Sequence, residues 1–378
     1  VNIKNDLLYA QFTLNKKWFV QNRDENKIII TCNIMKNEGE QYLWGAEKYT
    51  IKICKSLSKK YEVHLFQQPG NFLNLKNIIV HSDMITYFSR GYMNKVARTV
   101  FQIKPRCIFC NAGGGQQVIF WSIISKMTNV PIIMFFHNEP KYIKNTFSKM
   151  QGLEYLFFQK ALKDKELLYD MMLESCDRLG FLLPQYVSEK YKDKSYVFYN
   201  CIEIPDNIEI NKKRSNILYV GRINRDIKRT QLLLDYIKDT YYECDVVGYN
   251  YANDGFLDIS EYFKFDNIHF HGYQKNVEPF YRNAHVLVIP SIIEGLPTVA
   301  LEAMSFGTPV IGYKECKSMN DIVIDGYNGW LVTDDLPASI RNSFCKDIVN
   351  IRKNCIKESK KYSIENIMMK IYKCIESV

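Results

Sequence analysis

The chain reads as an α/β protein of two Rossmann-like domains with a cleft between them, and three observations predict this. Short β-branched apolar runs alternate with segments of helical period along most of the sequence. A polar connector at residues 204–215, containing Pro205, divides the alternation into two series. The length of 378 residues exceeds what one hydrophobic core ordinarily supports.

Residues 1–26 are polar with scattered aromatics and read as an N-terminal extension. Lys27–Thr31 is a first strand, Ala46, Tyr49, Ile53 and Leu57 recur with helical period, and Glu62–Phe66 returns as a strand, which completes a βαβ unit. Strands at Ile78–Val80, Cys107–Phe109, Ile132–Phe136 and Tyr196–Phe198 alternate with helices near 92–103, 116–127 and 145–174. The first domain is therefore placed at residues 27–203. The second, at 204–360, has strands at Asn216–Val220, Asp245–Val247, Ile268–Phe270, Val286–Ile289, Val310–Ile311 and Trp330–Val332, with a helix at 231–237. In residues 361–378 the spacing of Ile364, Ile367, Met368, Ile371 and Ile375 predicts an amphipathic helix.

Composition is that of a soluble globular protein, with 47% apolar and 24% charged residues. No apolar run reaches the ~18 residues of a membrane span, and no signal-peptide pattern opens the sequence. The 11 cysteines form no disulfide framework and fit a reducing, cytoplasmic setting. Cys107 and Cys110 have redox or zinc spacing, but strand residues three apart face opposite sides, so buried structural thiols are expected. The net charge of +9 is unevenly spread, since residues 51–150 hold 14 Lys+Arg against 3 Asp+Glu. Such a field suits an anionic membrane, nucleic acid or a phosphorylated acceptor.

The chemistry concentrates in the second half. His285–Ile289 is an apolar run ending in Pro290-Ser291, as a buried parallel strand would. Pro297 suits the first position of a following helix, and Gly307 with Pro309 stops it. A helix N-terminus at a strand's carboxyl end offers N–H groups, here of Leu296, Thr298 and Val299, to an anion. Glu294 precedes that helix. Glu302 lies about one and a half turns into it, with its side chain leaning back toward the same pocket. Gly221-Arg222 ends an earlier strand and Lys228 follows, so two cations stand where a diphosphate leaving group could be held. Gly272-Tyr273 marks another loop at this edge. His269 and His271 share a strand face without an evident third ligand and are read as structural or nucleotide-adjacent, and the sequence contains no Asp-x-Asp, so no metal is expected.

The ordered set Gly221-Arg222 and Lys228, His271-Gly272-Tyr273, Pro290-Ser291, Glu294-Gly295-Leu296-Pro297, Glu302-Ala303, Gly307-Thr308-Pro309-Val310 and Asn328-Gly329-Trp330 resembles family 4 of the retaining glycosyltransferases, which have the GT-B fold. The resemblance covers about residues 216–332 and extends more loosely to Gly45-Ala46-Glu47, His137 and Asn200. It implies that Arg222 and Lys228 hold the diphosphate of a UDP- or GDP-linked sugar, a donor substrate rather than a resident cofactor. It further implies that Glu294 binds the sugar's hydroxyls, Glu302 the ribose, and the backbone of Gly295, Leu296, Pro297 and Thr298 the phosphate and sugar. Tyr273 lies where the family's loop holds the base, His137 would approach the sugar from the first domain, and Gly45 would let backbone come close to phosphate or acceptor. Retention of configuration, independence of metal and a C-terminal helix crossing back to the first domain are implied as well. The chain departs from the family at Trp44, Arg229 and Cys201, where glycines are usual, and at His285, where an aspartate is.

For the acceptor the expectation is a saccharide, lipid-linked, in surface polysaccharide synthesis. The basic first half would dock at the inner membrane face; Tyr155–Phe158 is expected to pack in the core, with an apolar membrane contact as the alternative. A glycoside hydrolase also uses two carboxylates, but cations and a helix N-terminus beside them suit a phosphate leaving group. The remaining alternatives are a GT-B-fold epimerase or phosphorylase, and a non-enzymatic nucleotide-sugar or nucleic-acid binder. Tyr87, Phe88, Tyr92 and Phe101 intersperse with Arg90, Lys95 and Arg98, yet Tyr92, Val96 and Val100 have core spacing and no RNA-binding signature appears. Nucleic acid is therefore not an expected partner.

Overall fold

The computed structural model describes residues 18–32, 45–67, 75–82, 90–112, 115–140, 143–144, 165–211, 213–250, 255–344 and 347–378. Its chain divides into two compact units, Val1–Tyr199 with Met368–Val378, and Asn200–Ile367.

The first unit is built on a seven-stranded sheet: β1 (Asp24–Cys32), β2 (Glu62–Gln67), β3 (Ile78–His81), β4 (Pro105–Ala112), β5 (Ile132–Phe136), β6 (Arg178–Phe181) and β7 (Ser195–Val197), in the order β3-β2-β1-β4-β5-β6-β7. All pairings are parallel. Parallel neighbours need crossovers, which the helices Gly45–Leu57, Arg90–Ile103, Gly115–Thr128 and Lys165–Ser175 help to supply. Covered on both faces, β5 is buried at every position, which is why its sequence is an unbroken apolar run. Val96 and Val100 are fully buried on their helix, so their spacing belongs to the core.

Several expectations shift. Asp24–Asn26, read as extension, belong to β1, where Asp24 pairs with Pro105. β6 was not anticipated: it has four residues, and its Gly180 interrupts the apolar run. A side chain at Gly180 would come within 2.6 Å of the Phe198 ring and 2.9 Å of Phe135, so this strand needs a glycine to let both rings in. Of the helix expected at 145–174, the described part is Lys165–Ser175. Trp44, Tyr87, Phe88 and Tyr155–Phe158 lie outside the described residues.

The second unit has a six-stranded parallel sheet: β8 (Asn216–Val220), β9 (Cys244–Val247), β10 (Ile268–Gly272), β11 (Ala284–Ile289), β12 (Val310–Tyr313) and β13 (Gly329–Val332), in the order β10-β9-β8-β11-β12-β13. The chain adds strands to one side of β8, then crosses to its other side and continues outward. The direction of winding reverses between β8 and β11, the place where open α/β sheets bind ligands, outside the strands' carboxyl ends. Ile217, Leu233, Leu234, Val246, Val286, Val288 and Ile311 form the core beneath it.

Among the described residues four α-helices of this unit were not anticipated, Glu278–Asn283, Met319–Ile322, Leu336–Ser343 and Ile348–Ser359. The helix Ile364–Glu376 ends within the first unit. There Arg106 Nε donates to the Ile375 carbonyl at 3.1 Å, Arg178 Nη2 donates to that of Ser377 at 2.6 Å, and Lys60 pairs with Glu376. All three cations stand at the negative end of the helix dipole, and the two arginines satisfy its last carbonyls. Among the described residues no helix is long and apolar enough to cross a membrane.

Candidate functional site

The site is built from loops at the carboxyl ends of β8 and β11. After β8 the backbone of Gly221 runs against that of Gly248: the Gly221 N–H donates to Val247 O at 3.0 Å, and the Gly248 N–H to Gly272 O at 2.8 Å. Gly248 has a φ of 143°, and a Cβ there would lie 1.8 Å from the Gly221 oxygen, so these loops pack backbone to backbone. The following turn is organised by Asn224, which is fully buried. Its Oδ1 accepts the N–H groups of Ile227 at 3.3 Å and Lys228 at 2.8 Å, and its carbonyl accepts from Thr230 N at 3.1 Å. The Tyr219 hydroxyl accepts from Thr230 Oγ1 at 3.0 Å and donates to the carbonyl of Arg222 at 2.5 Å.

The loop after β11 is tied to this turn. Ile292 N–H donates to Ile227 O at 3.1 Å, and Arg229 Nε donates to Pro290 O at 2.9 Å. Lys228, between these two ties, places Nζ 2.5 Å from Glu294 Oε1 in a shielded pair. Arg222 belongs to the same turn, where its carbonyl is held by the Tyr219 hydroxyl, whose pKa burial pushes up. Lys228 and Glu294 thus meet at the winding reversal of the second sheet, with Arg222 in the same turn as Lys228.

The helix of this loop starts one residue later than expected. Pro297 has a ψ of 106° and caps the helix Thr298–Ser305 instead of opening it. Ala300 N–H already donates to Pro297 O at 3.0 Å, which leaves the N–H groups of Thr298 and Val299 as the first-turn donors. Leu296 is buried, and its carbonyl accepts from Asn200 Nδ2 at 2.7 Å. Glu302 is half-buried and accepts from Tyr281, whose hydroxyl lies 3.0 Å from Oε2. Burial, reinforced by Glu302, holds the Tyr281 pKa well above its ordinary value, so Tyr281 stays a donor. At the other end of the helix, buried Arg214 donates to Phe306 O at 3.1 Å and Thr308 Oγ1 at 3.0 Å, a cation at the negative pole.

Tyr273 follows β10 and is exposed. Gly45 begins the helix Gly45–Leu57 of the first unit. His137 follows β5, also in the first unit, where its Nε2 meets Asn111 Oδ1 and its ring packs edge-on against Tyr49 and Phe135. Burial pulls its pKa down to about 3, so the ring is neutral.

Asn224, Tyr219, Tyr281 and Arg214 were missed by sequence reasoning. Asn224 had a signal, since asparagine between a strand end and a helix start commonly caps its own turn. The others act through tertiary contacts that no spacing announces. His269 and His271 do not share a ligand: each turns to its own carboxylate, Glu243 at 2.6 Å and Asp245 at 2.7 Å. Among the described residues no group of three or more His, Cys, Asp or Glu could hold a metal ion. Cys107 and Cys110 are buried and unbridged, and burial raises the Cys107 thiol's pKa to about 12.

Residues 202–362 match the family model of Glycosyl transferases group 1. The match lies in the second unit and supports a glycosyl transfer role, while the likeness to solved structures shows the GT-B fold. An uncharacterized glycosyltransferase of Methanocaldococcus jannaschii is 24% identical over 89% of this chain and 95% of its own length. A Campylobacter jejuni enzyme, GalNAc-alpha-(1->4)-GalNAc-alpha-(1->3)-diNAcBac-PP-undecaprenol alpha-1,4-N-acetyl-D-galactosaminyltransferase, is 22% identical over 84% of this chain and 89% of its own. Among solved structures, HepE of Anabaena in complex with UDP superposes with a TM-score of 0.68 at 16% identity, over 93% of this chain and 100% of that one.

Proposed function

We propose that the chain is a retaining, metal-independent glycosyltransferase of family 4 that moves a hexosyl group from a UDP- or GDP-linked donor to a saccharide acceptor. The observation that carries this reading is the Lys228–Glu294 pair, beside Arg222 and the first-turn N–H groups of Thr298 and Val299. Fixed donors of this kind stabilise the charge that develops on a departing diphosphate without having to reorganise. Lys228 then exchanges part of its contact with Glu294 for a phosphate oxygen, which frees a Glu294 oxygen for the sugar's hydroxyls. Glu302, oriented by Tyr281, takes the ribose hydroxyls, the backbone of Gly295–Thr298 lines the phosphate and sugar, and Tyr273 flanks the base. His137, held neutral, offers the sugar a hydrogen bond, and Gly45 admits phosphate or acceptor close to the backbone.

In the transfer step the anomeric carbon loses its bond to the β-phosphate oxygen, and the acceptor oxygen bonds to that carbon from the same face. The acceptor's proton passes to a phosphate oxygen, so no protein base is required. The acceptor we assign is lipid-linked and belongs to surface polysaccharide synthesis; the undecaprenol-linked acceptor in the name of the Campylobacter relative supports this. Lys55, Lys59, Lys95 and Arg98 are exposed in the basic stretch and would meet an anionic leaflet. The deciding experiment incubates the protein with a panel of UDP- and GDP-sugars and a lipid-linked saccharide, and reads the product's anomeric configuration by NMR. An inverted anomer refutes the mechanism, and donor consumption without acceptor refutes transfer. Flotation with liposomes that is indifferent to acidic lipid refutes the membrane surface.

A further inference from the structure

Arg229 holds an unusual backbone position. Its φ of 49° and ψ of 39° put it in the left-handed region immediately before the helix Thr230–Ile237, where a glycine carries no steric penalty and an arginine does. Its side chain reaches the ends of two neighbouring strands, β11 and β12, at once. Nε donates to Pro290 O after β11 at 2.9 Å, Nη2 lies 2.7 Å from Glu315 Oε1 after β12, and the guanidinium covers the Tyr313 ring at 4.3 Å. A planar guanidinium can make such a bond, ion pair and ring contact together, whereas a lysine's point charge cannot.

The neighbouring backbone tie, Ile292 N to Ile227 O at 3.1 Å, makes the arrangement a short rung-like link. Ile227 and Arg229 both bind the loop that carries Glu294, and the residue between them is Lys228. The register of Lys228 against Glu294 is therefore fixed on both sides, once by backbone and once by the Arg229 side chain.

We propose that Arg229 is a positioning residue that locks the β8, β11 and β12 loops together and thereby sets the separation at which Lys228 meets Glu294 and the phosphates of a nucleoside diphosphate. This rests on the reading of the pocket as a nucleotide-sugar site. Arg229 touches no reacting atom in this scheme and acts through Lys228.

The test titrates UDP and GDP calorimetrically into the full chain and into R229G, K228A, the R229G/K228A double variant and E315Q, with ligand-free thermal melts of each. R229G gives the left-handed position the residue that fits it best, so its melting temperature should stay at or above that of the wild type while nucleotide affinity falls about tenfold. That loss should vanish in the K228A background, because an effect exerted through Lys228 has nothing left to act on. E315Q, which leaves the Arg229 backbone unchanged, should lose part of the same affinity. The proposal is overturned by R229G or E315Q binding as tightly as wild type, by additive losses in the double variant, or by an affinity loss that merely follows a lowered melting temperature. A wild-type protein that binds neither nucleotide would instead overturn the nucleotide-sugar reading itself.

Discussion

Replacing Lys228 by methionine removes the ammonium that lies 2.5 Å from Glu294 while keeping most of the stem. The two side chains are 17% and 13% exposed, so water does little to compensate the partner left behind. At an effective dielectric of 20, unit charges at that separation attract by about 7 kcal/mol, most of it offset by the desolvation both groups undergo. Removing one partner from a wholly buried pair costs about 3–5 kcal/mol, and the residual exposure here brings the expected loss of stability to about 1–3 kcal/mol. Nucleotide binding should suffer separately. Loss of a charge-assisted bond to phosphate, at about 1.5–3 kcal/mol, weakens UDP or GDP binding roughly tenfold to a hundredfold. Calorimetric titration at low and moderate salt reads both the size of the effect and its electrostatic origin, since the wild type should lose more affinity than K228M as salt rises. K228M that binds the nucleotide within twofold of wild type, with the same salt dependence, would refute the assignment of Lys228 to phosphate.

Other consequences are open to simpler measurement. Gly248→Ala forces a methyl to within 1.8 Å of the Gly221 oxygen at a left-handed φ, and should cost about 3 kcal/mol or more, read as a large fall in melting temperature. Asn224→Ala removes the fully buried acceptor of two N–H groups; a loss of about 2–4 kcal/mol is expected by denaturant titration, and an unchanged midpoint would contradict the role given to that turn. Burial pulls the pKa of His137 down to about 3, and burial with the His64 charge pulls that of His81 down to about 4, so both are neutral when folded and take up protons near pH 6.5 when unfolded. Their full contribution is present above pH 6.5 and is lost as pH falls toward those folded values, by up to about 1.4 kcal/mol per pH unit for each histidine. Denaturation midpoints at pH 7.5 and pH 5 test this, and a flat profile would count against it.

The sequence made the second sheet legible because a parallel strand buried on both faces must be an apolar run, and β8 and β11 are such runs at Asn216–Val220 and Ala284–Ile289. It also placed Arg222, Lys228 and Glu294 at strand ends, and the meeting of Lys228 with Glu294 follows from the winding reversal between β8 and β11. What it did not convey depends on partners far along the chain. Tyr281 meets Glu302 and Arg214 meets the end of the same helix through packing, which periodicity does not encode. Arg229 was recognised as a departure, but its three contacts come from residues more than sixty positions away. β6 escaped because a four-residue strand containing glycine has too little pattern to register. The helix Leu336–Ser343 did carry a start signal: Asp335 accepts from Ala338 N–H at 2.8 Å and Pro337 sits in the first turn.

The membership of Met368–Val378 in the first unit bears on how this protein is made. A ribosome delivers the whole of Asn200–Ile367 before the segment that completes Val1–Tyr199 emerges. Until then the strand-start arginines 106 and 178 lack the carbonyls they hold, and the apolar surface that receives Ile371, Cys374 and Ile375 stays uncovered. The portion synthesised first is thus finished last. Its nascent form is the stage at which chaperone engagement or aggregation would concentrate.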